Sequence, residues 1–235
     1  MNFLQEPIIR KTPQDFRLPF SWQDSRCYLQ DRLLFIPKSL NGSFPLPHWN
    51  DEQLFGNDFP VVVEYCSGNG SWIAEKAKLN PTQNFLAVEM DFDRARKIWL
   101  KSHNMNLSNL IVAWSEAFLL TKHFLKEASV DGIFINFPDP WPKRRHAKFR
   151  IIQPAFVYEM ERILKKGSSL TIVTDDKDYS DRIIKEMCSQ PRFQSVFDDP
   201  FYGPVPEDYG TSFFDALFRR QGKEIRFHKF IKRDV

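Results

Sequence analysis

The chain has 235 residues, of which 42% are hydrophobic and 27% charged, as is typical of a soluble globular protein. No apolar run approaches the length of a membrane span and the first residues lack a signal-peptide core, so we expect a cytoplasmic protein. The formal net charge is only +3, but basic residues concentrate in 143–150 and 219–233, which suggests a polyanionic partner. Three cysteines without a C-x-x-C pair argue against disulfides and a zinc site.

The first sixty residues show only weak periodicity, because prolines interrupt every candidate element. We therefore predict an extension over residues 1–55 that covers the core, with a helix near 50–55, followed by one domain over residues 56–235. Basic residues of the extension, such as Arg10 and Arg17, are interpreted as solvated surface charges.

From Val61 onward, short apolar runs alternate with stretches of helical spacing. The predicted strands are 61–64, 85–88, 110–113, 132–137 and 170–174. The predicted helices are 72–79, 94–103, 117–125, 154–164 and 179–188, the fourth with Gly167 as its C-cap glycine. Two alternating segments, 195–198 and 225–232, predict an antiparallel edge pair. The pattern predicts an α/β fold with a mostly parallel, doubly wound sheet and an antiparallel C-terminal edge.

An acidic residue follows the end of every predicted parallel strand. Ligands of open α/β sheets bind beyond the carboxyl ends of the strands, so these acids should meet on one rim. The acids are Glu64, Glu89, Glu116, Asp139 and the pair Asp175 and Asp176. Packing alone does not account for so many converging carboxylates, and the rim is therefore the candidate site.

The turn of residues 67–70 joins the first predicted strand to the first helix and contains Gly68 and Gly70. It lacks the third glycine of the dinucleotide fingerprint, where this chain has Ile73, so the glycines alone could simply form a tight turn. Glu89 lies about twenty residues further on, where a carboxylate can accept both hydroxyls of a ribose. The sequence shows no signature for binding a pyrophosphate, so the bound nucleoside should carry no phosphates. S-adenosylmethionine fits this description as the cofactor.

The most distinctive segment is residues 130–150, VDGIFINFPDPWPKRRHAKFR. An apolar strand leads into a loop stiffened by three prolines, which holds Asp139 and Trp141 and precedes a dense basic run. This arrangement suits a planar polar group attached to a polyanion. Simpler interpretations stay open: Asp139 could stabilise a turn, Trp141 could be a packed anchor instead of a base-stacking platform, and the basic run could be a solvated face.

Together with its surroundings, this segment closely resembles the bacterial tRNA (guanine-N7-)-methyltransferase family, whose members carry an F-x-D-P-W-P-K-[KR]-R-H-x-K-R loop. The resemblance covers about residues 55–235 and is carried by FGNDFPVVVEYCSGNG, FLAVEMD, FPDPWPKRRHAKFRIIQPAF and TIVTDD. It implies a Rossmann-like class I fold that depends on S-adenosylmethionine. It also implies methyl transfer to N7 of guanine 46 in the variable region of tRNA.

The resemblance assigns roles to individual residues. Cofactor contacts are expected at Glu64, Gly68, Gly70, Glu89 and Glu116. Asp139 is expected to act at the reaction site and beside the cofactor. Substrate contacts are expected at Lys143, Arg144, Arg145, Asp175, Thr211 and Asp215. No metal is expected.

Three positions depart from the family pattern. Cys66 stands where the family usually has glycine, which predicts a slightly displaced loop, and Glu116 replaces a shorter aspartate. In the terminal T-x-[YF]-E motif, either the glutamate has become Phe214 or an insertion gives its role to Asp215. We favour the insertion, because Phe218 and Gly222 then match the family.

Two other functions stay open. Loss of the cofactor would leave a methyltransferase-like RNA-binding protein, and a small-molecule methyltransferase is disfavoured by the basic clusters. The partner is expected to be tRNA, with no membrane involved. The sequence does not decide between a monomer and a homodimer.

Overall fold

The computed structural model describes residues 10–40, 43–210 and 212–234, and in them one nine-stranded sheet is flanked by helices. The strands are β1 Tyr28–Gln30, β2 Leu33–Phe35, β3 Val61–Tyr65, β4 Asn84–Glu89, β5 Leu110–Trp114, β6 Val130–Asn136, β7 Leu164–Thr174, β8 Phe193–Ser195 and β9 Arg226–Lys232. The helices are α1 Ser71–Leu79, α2 Phe92–Asn104, α3 Ala117–Phe124, α4 Pro154–Ile163, α5 Lys177–Cys188 and α6 Phe213–Arg220.

The strand order is β1-β2-β5-β4-β3-β6-β7-β9-β8. Neighbouring strands from β2 to β7 pair in parallel, while β1, β9 and β8 are antiparallel to their neighbours. The chain leaves β3 towards β4 and β5, then returns to place β6 on the other side of β3. The predicted doubly wound sheet with an antiparallel C-terminal edge is confirmed, and its topological switch point lies between β3 and β6.

Both faces of the sheet are covered, because successive residues of each buried strand point to opposite sides. Val63 packs in a core with residues of α3, α4 and α5, such as Leu120 and Met160. Its neighbour Val62 packs in a second core with residues of α1 and α2, such as Ile73 and Ile98. Nearly continuous apolar strands are what burial on both faces requires.

The N-terminal region contributes more to the sheet than predicted. Strands β1 and β2 were missed, although Leu34 is fully buried and β2 pairs in parallel with β5. The predicted helix near 50–55 is wrong, since these residues form turns. Asp51 accepts the backbone N–H of Gln53 at 2.8 Å, and such side-chain bonds compete with helix formation. The proposed boundary at residues 55 and 56 stays a prediction.

The predicted C-cap role of Gly167 is also wrong. Helix α4 ends at Ile163, and Leu164 is already extended (φ −66°, ψ 138°) as the first residue of β7. Gly167, with φ 76°, lies where the pairing of β6 with β7 shifts register between Val130 and Gly132. Its left-handed backbone therefore serves a strand irregularity. None of the described helices is both long and apolar enough to cross a membrane.

Candidate active site at the switch point

A cavity opens at the switch point, beyond the carboxyl ends of β3 and β6. Its walls come from the end of β3, the turn into α1, the last residue of β6 and the start of α6. The lining residues are Glu64, Cys66, Ser67, Gly68, Asn69, Ser71, Trp72, Asn136, Ser212, Phe213 and Phe214. A crevice at this place is where open α/β sheets bind ligands.

The Glu64 carboxylate is the least satisfied polar group of the cavity. Its Oε1 accepts a hydrogen bond from Nδ2 of Asn136 at 2.8 Å, while its buried Oε2 has no partner among the described residues. Burial raises the pKa of Glu64 to about 8, although the bond from Asn136 opposes this shift. A buried oxygen without a donor is costly, so this position fits a ligand that offers an N–H or a positive charge.

A buried polar chain extends from Glu64 towards the C-terminal region. The Tyr209 hydroxyl donates to Oδ1 of Asn136 at 2.6 Å, and the Tyr209 carbonyl accepts from Nε1 of Trp72 at 2.8 Å. No role was predicted for Asn136 or Tyr209. They are 73 positions apart, and nothing in the local sequence indicates that they meet.

Glu89 holds the glycine turn in place. Its Oε2 accepts the Gly68 N–H at 2.9 Å, and its Oε1 accepts the N–H groups of Met90 and Asp91, each at 2.9 Å. Burial raises the pKa of Glu89, and these backbone donors oppose the shift. A carboxylate has about four acceptor positions, and three of them are occupied. The predicted capture of two ribose hydroxyls therefore has to share this carboxylate with the turn.

The turn has a left-handed backbone at three residues: Cys66 (φ 57°), Gly68 (φ 58°) and Gly70 (φ 71°). Cys66 thus retains a conformation that glycine tolerates best, at a cost in strain. Displacement of the loop by this residue stays a prediction. Gly70 lies outside the cavity lining, and a side chain there would come within 2.7 Å of Cγ1 of Ile98. Helix packing therefore explains this glycine.

The proline loop is braced from behind by Arg150. Its Nε donates to the Pro140 carbonyl at 2.7 Å and its Nη2 to the Trp141 carbonyl at 3.1 Å. The Trp141 ring packs against His146 and Phe149, with centroids 5.6 and 5.5 Å away. These contacts favour the anchor interpretation of Trp141. They also remove Arg150 from the residues that face solvent.

Asp139 is exposed at the tip of this loop. Its side chain accepts no hydrogen bond from the described residues, so they give no support to a turn-stabilising role. The pKa of the Cys66 thiol is raised by desolvation first and then by the carboxylates of Glu89, Asp139 and Glu64. Three of the predicted acids therefore lie near enough to Cys66, a cavity-lining residue, to act on it electrostatically, as expected for residues at one rim.

Glu116 differs from the other acids. It is exposed, precedes α3, and its carboxylate has no partner among the residues described. Its predicted contact with a cofactor stays a prediction.

The first basic stretch is uncompensated. Lys143, Arg144, Arg145 and Lys148, here called the basic cluster, are exposed on or beside the short 3-10 helix Arg144–Phe149. None of the four forms a salt bridge within the described ranges. A surface of this kind is suited to phosphate groups.

The second basic stretch is largely neutralised by ion pairs. Lys223 pairs with Asp175, and Arg219 pairs with Asp215 at 2.9 Å. Asp215 is buried and Phe214 lines the cavity. The predicted substrate contacts at Asp175 and Asp215 thus have partners within the chain, and their roles stay predictions. Thr211 lies outside the described residues.

Comparisons with known proteins agree with this geometry. A family model described as "Putative methyltransferase" matches residues 58–227. A tRNA (guanine-N(7)-)-methyltransferase of Chlamydia caviae is 40% identical over 225 residues, covering 94% of this chain and 98% of that protein. The enzyme of the same name from Nitrosomonas europaea is 36% identical over 179 residues, covering 72% and 80%.

Solved structures show the same fold at low identity. The 16S rRNA methyltransferase KamB aligns with a TM-score of 0.56 and 16% identity over 77% of this chain and 92% of that one. An rRNA methylase from Streptococcus thermophilus aligns with a TM-score of 0.51 and 14% identity over 76% and 89%. These likenesses confirm the predicted Rossmann-like fold class.

Proposed function

The chain belongs to the tRNA (guanine-N(7)-)-methyltransferase family, and we propose that it methylates N7 of guanine 46 in the variable loop of tRNA. It is an enzyme that uses S-adenosylmethionine as the methyl donor. The observation that supports the assignment of the reaction site is the exposed Asp139 carboxylate, which has no partner among the described residues and lies in sequence between the cavity residue Asn136 and the basic cluster.

The cavity residues fit this cofactor. When bound, S-adenosylmethionine supplies an electrophilic methyl group on a positively charged sulfur. Ionised Glu64 would accept a hydrogen bond from its ammonium group at Oε2, which has no partner among the described residues. Glu89 lies outside the cavity lining but holds Gly68, and it would contribute its remaining acceptor position to the ribose. Gly68 lines the same cavity with open space beside its Cα, since an added side chain would meet nothing nearer than the Cys66 carbonyl at 3.9 Å. Gly70 and Glu116 stay weaker candidates.

The nucleophile needs no general base, because N7 of guanine carries a lone pair and no proton. The protein therefore accelerates transfer mainly by orientation. Asp139 accepts hydrogen bonds from the N1–H and N2–H₂ edge of guanine, which fixes the base. Its negative charge also stabilises the positive charge that the purine gains as the new bond forms.

The basic cluster binds tRNA phosphates. Arg and Lys dominate such contacts, which position a nucleic acid without reading its sequence. Lys143, Arg144 and Arg145 follow Asp139 closely, so phosphate contacts there would bring one region of the tRNA to the carboxylate. Thr211, Asp175 and Asp215 are retained as secondary substrate contacts.

The assignment is tested by incubating the protein with unmodified tRNA and methyl-labelled S-adenosylmethionine, followed by nucleoside analysis. We expect N7-methylguanosine in the wild-type tRNA and none in a transcript with adenosine at position 46. Label in the second transcript would contradict the assigned position. A cofactor-free RNA-binding protein, the alternative function, would bind tRNA but show no equilibrium binding of S-adenosylmethionine.

A further inference from the structure

The polar chain behind Glu64 has a defined direction. The Tyr209 hydroxyl donates to Oδ1 of Asn136, and in this amide orientation the Asn136 N–H₂ group donates to Oε1 of Glu64. Oε1 thereby has a donor, and Oε2 is the oxygen of this cavity-lining residue that has no partner among the described residues.

Tyr209 also anchors the segment that closes the cavity. Its ring is buried against Trp72 and Phe134, with centroids 5.3 and 6.1 Å away. Ser212 follows three residues later and caps α6 by accepting the N–H of Asp215 at 3.0 Å. Ser212, Phe213 and Phe214, here called the α6 wall, line the same cavity as Glu64. Tyr209 is thus linked through Asn136 to the Glu64 carboxylate, and it lies close in sequence to the α6 wall.

We propose that Asn136 and Tyr209 are positioning residues that aim Oε2 of Glu64 at the cofactor and couple cofactor binding to the α6 wall. This inference rests on the proposed function, because it takes S-adenosylmethionine as the ligand. In this scheme neither residue hydrogen-bonds to the ligand, although Asn136 lines the cavity. They act through Glu64, in a buried network in which each hydrogen bond strengthens the next.

The coupling works in both directions. A ligand donor on Oε2 increases the cost of rotating the carboxylate, so it also increases the cost of breaking the Asn136 and Tyr209 bonds. Tyr209 and the α6 wall should therefore open less often when the cofactor is bound. By thermodynamic reciprocity, whatever orders the α6 wall tightens cofactor binding by the same factor.

The first test is a double-mutant cycle on the dissociation constant of S-adenosylmethionine, measured by calorimetry on the full chain. Tyr209→Phe removes one hydroxyl and should weaken binding about fivefold, the scale of one hydrogen bond. In a Glu64→Gln background the same change should have almost no effect, because the carboxylate that Tyr209 positions is gone. Asn136→Ala breaks the same link and replaces Tyr209→Phe if that variant does not fold.

Tyr65→Phe is the matched control. The Tyr65 hydroxyl is equally buried and bonds Oγ1 of Thr121 at 2.6 Å, but this bond makes no contact with Glu64. Both Tyr→Phe variants should lose similar stability, and only Tyr209→Phe should lose cofactor affinity. Equal affinities for the two variants, or additive effects of Glu64→Gln and Tyr209→Phe, would overturn the inference.

Hydrogen exchange gives a second measurement, whose response to the cofactor would not change if Tyr209 had only a structural role. The cofactor should slow amide exchange across 207–218 in the wild type and in Tyr65→Phe, and do so much less in Tyr209→Phe. Equal protection in all three proteins would contradict the coupling. Failure of the wild type to bind S-adenosylmethionine at all would instead contradict the proposed function.

Discussion

The Gly68 N–H and the Glu89 carboxylate meet at 2.9 Å, 21 residues apart in sequence. The bond ties the turn after β3 to the end of β4, so one side chain both shapes the candidate cofactor loop and is expected to hold the ribose. Its substitution should therefore affect two measurable properties.

Glu89→Ala should weaken S-adenosylmethionine binding strongly and lower the free energy of unfolding by about 2 kcal/mol, because the buried Gly68 N–H and two part-buried backbone donors lose their acceptor. Affinity for tRNA should change little. Calorimetric binding and urea unfolding measure the two effects. Glu116→Ala is the control, since that exposed acid follows the neighbouring strand and has no described partner, and its stability should not change. An unchanged cofactor affinity in Glu89→Ala would place the ribose elsewhere.

Asp139→Asn should lower the rate of methyl transfer by about 100-fold or more, because one electrostatic stabiliser of the cationic purine is removed. The carboxylate has no described hydrogen bond and Arg150 holds the loop, so both ligand affinities should stay near wild type. Single-turnover methylation with both ligands saturating isolates this step. Asp178→Asn, at another exposed acid, should react normally. A normal rate for Asp139→Asn would mean that Asp139 is a loop residue with no role in methyl transfer.

Replacing Arg144, Arg145 and Lys148 together by alanine should weaken tRNA binding and flatten its salt dependence. The slope should fall by roughly 0.7–0.9 for each phosphate that the protein no longer neutralises. Cofactor affinity should not change. The control replaces Lys78, Lys126 and Lys165, three exposed lysines in the segments that precede or begin β4, β6 and β7. If both triple variants show the wild-type slope, the basic cluster is a solvated face.

Glu64→Gln should change how stability depends on pH. The folded-state pKa of Glu64 is raised to about 8 from an ordinary value of 4.5, so the folded protein binds a proton that the unfolded chain releases. The wild type therefore loses stability as pH rises from about 4.5 to 8, and Glu64→Gln removes this loss. Urea unfolding should show the variant gaining on the wild type towards the upper end of this range. The exposed Glu75→Gln should follow the wild type, and a parallel profile for Glu64→Gln would contradict the shift.

Two glycine substitutions should separate packing from ligand binding. Gly70→Ala should cost about 2–4 kcal/mol, because the new methyl group meets Ile98 at 2.7 Å on a left-handed backbone. Gly68→Ala should cost only about 1 kcal/mol of backbone strain, yet weaken cofactor binding, because it lines the cavity. Thermal unfolding and calorimetry measure both. A larger stability loss for Gly68→Ala would reverse these roles.

Local patterns predicted the elements that depend on local physics. The strands and α-helices between Val61 and Cys188 were all identified, because apolar runs and helical spacing alternate there, whereas the 3-10 helix Arg144–Phe149 was not. Strands β1 and β2 were missed, since three-residue runs such as Leu33–Phe35 acquire strand structure only by pairing with β5, far along the chain. The prediction for Gly167 was wrong because a positive φ serves an irregular strand as well as a helix end.

The candidate site likewise contains residues that the sequence predicted and contacts that it did not. Glu64 and Glu89 were predicted as site residues because they lie at the carboxyl ends of parallel strands, where such sheets bind ligands, and their roles stay predictions. The dependence of Glu64 on Asn136 and Tyr209 was not found, because it arises from contacts between residues whose separation in sequence carries no pattern. The three hydrogen bonds that Glu89 accepts from backbone N–H groups were not predicted either.

Strand β2 also protects the chain against aggregation, because it covers the edge of β5. It pairs with β5 from Leu33 to Phe35, and the Ile36 N–H continues to the Trp114 carbonyl at 3.2 Å. Without it, the apolar β5 would present unpaired backbone groups, a template for addition of strands from other molecules. A chain truncated to residues 56–235 should aggregate during expression even with its cavity intact. In the full chain, β2 is synthesised before β5 and is already available as its cover when β5 leaves the ribosome.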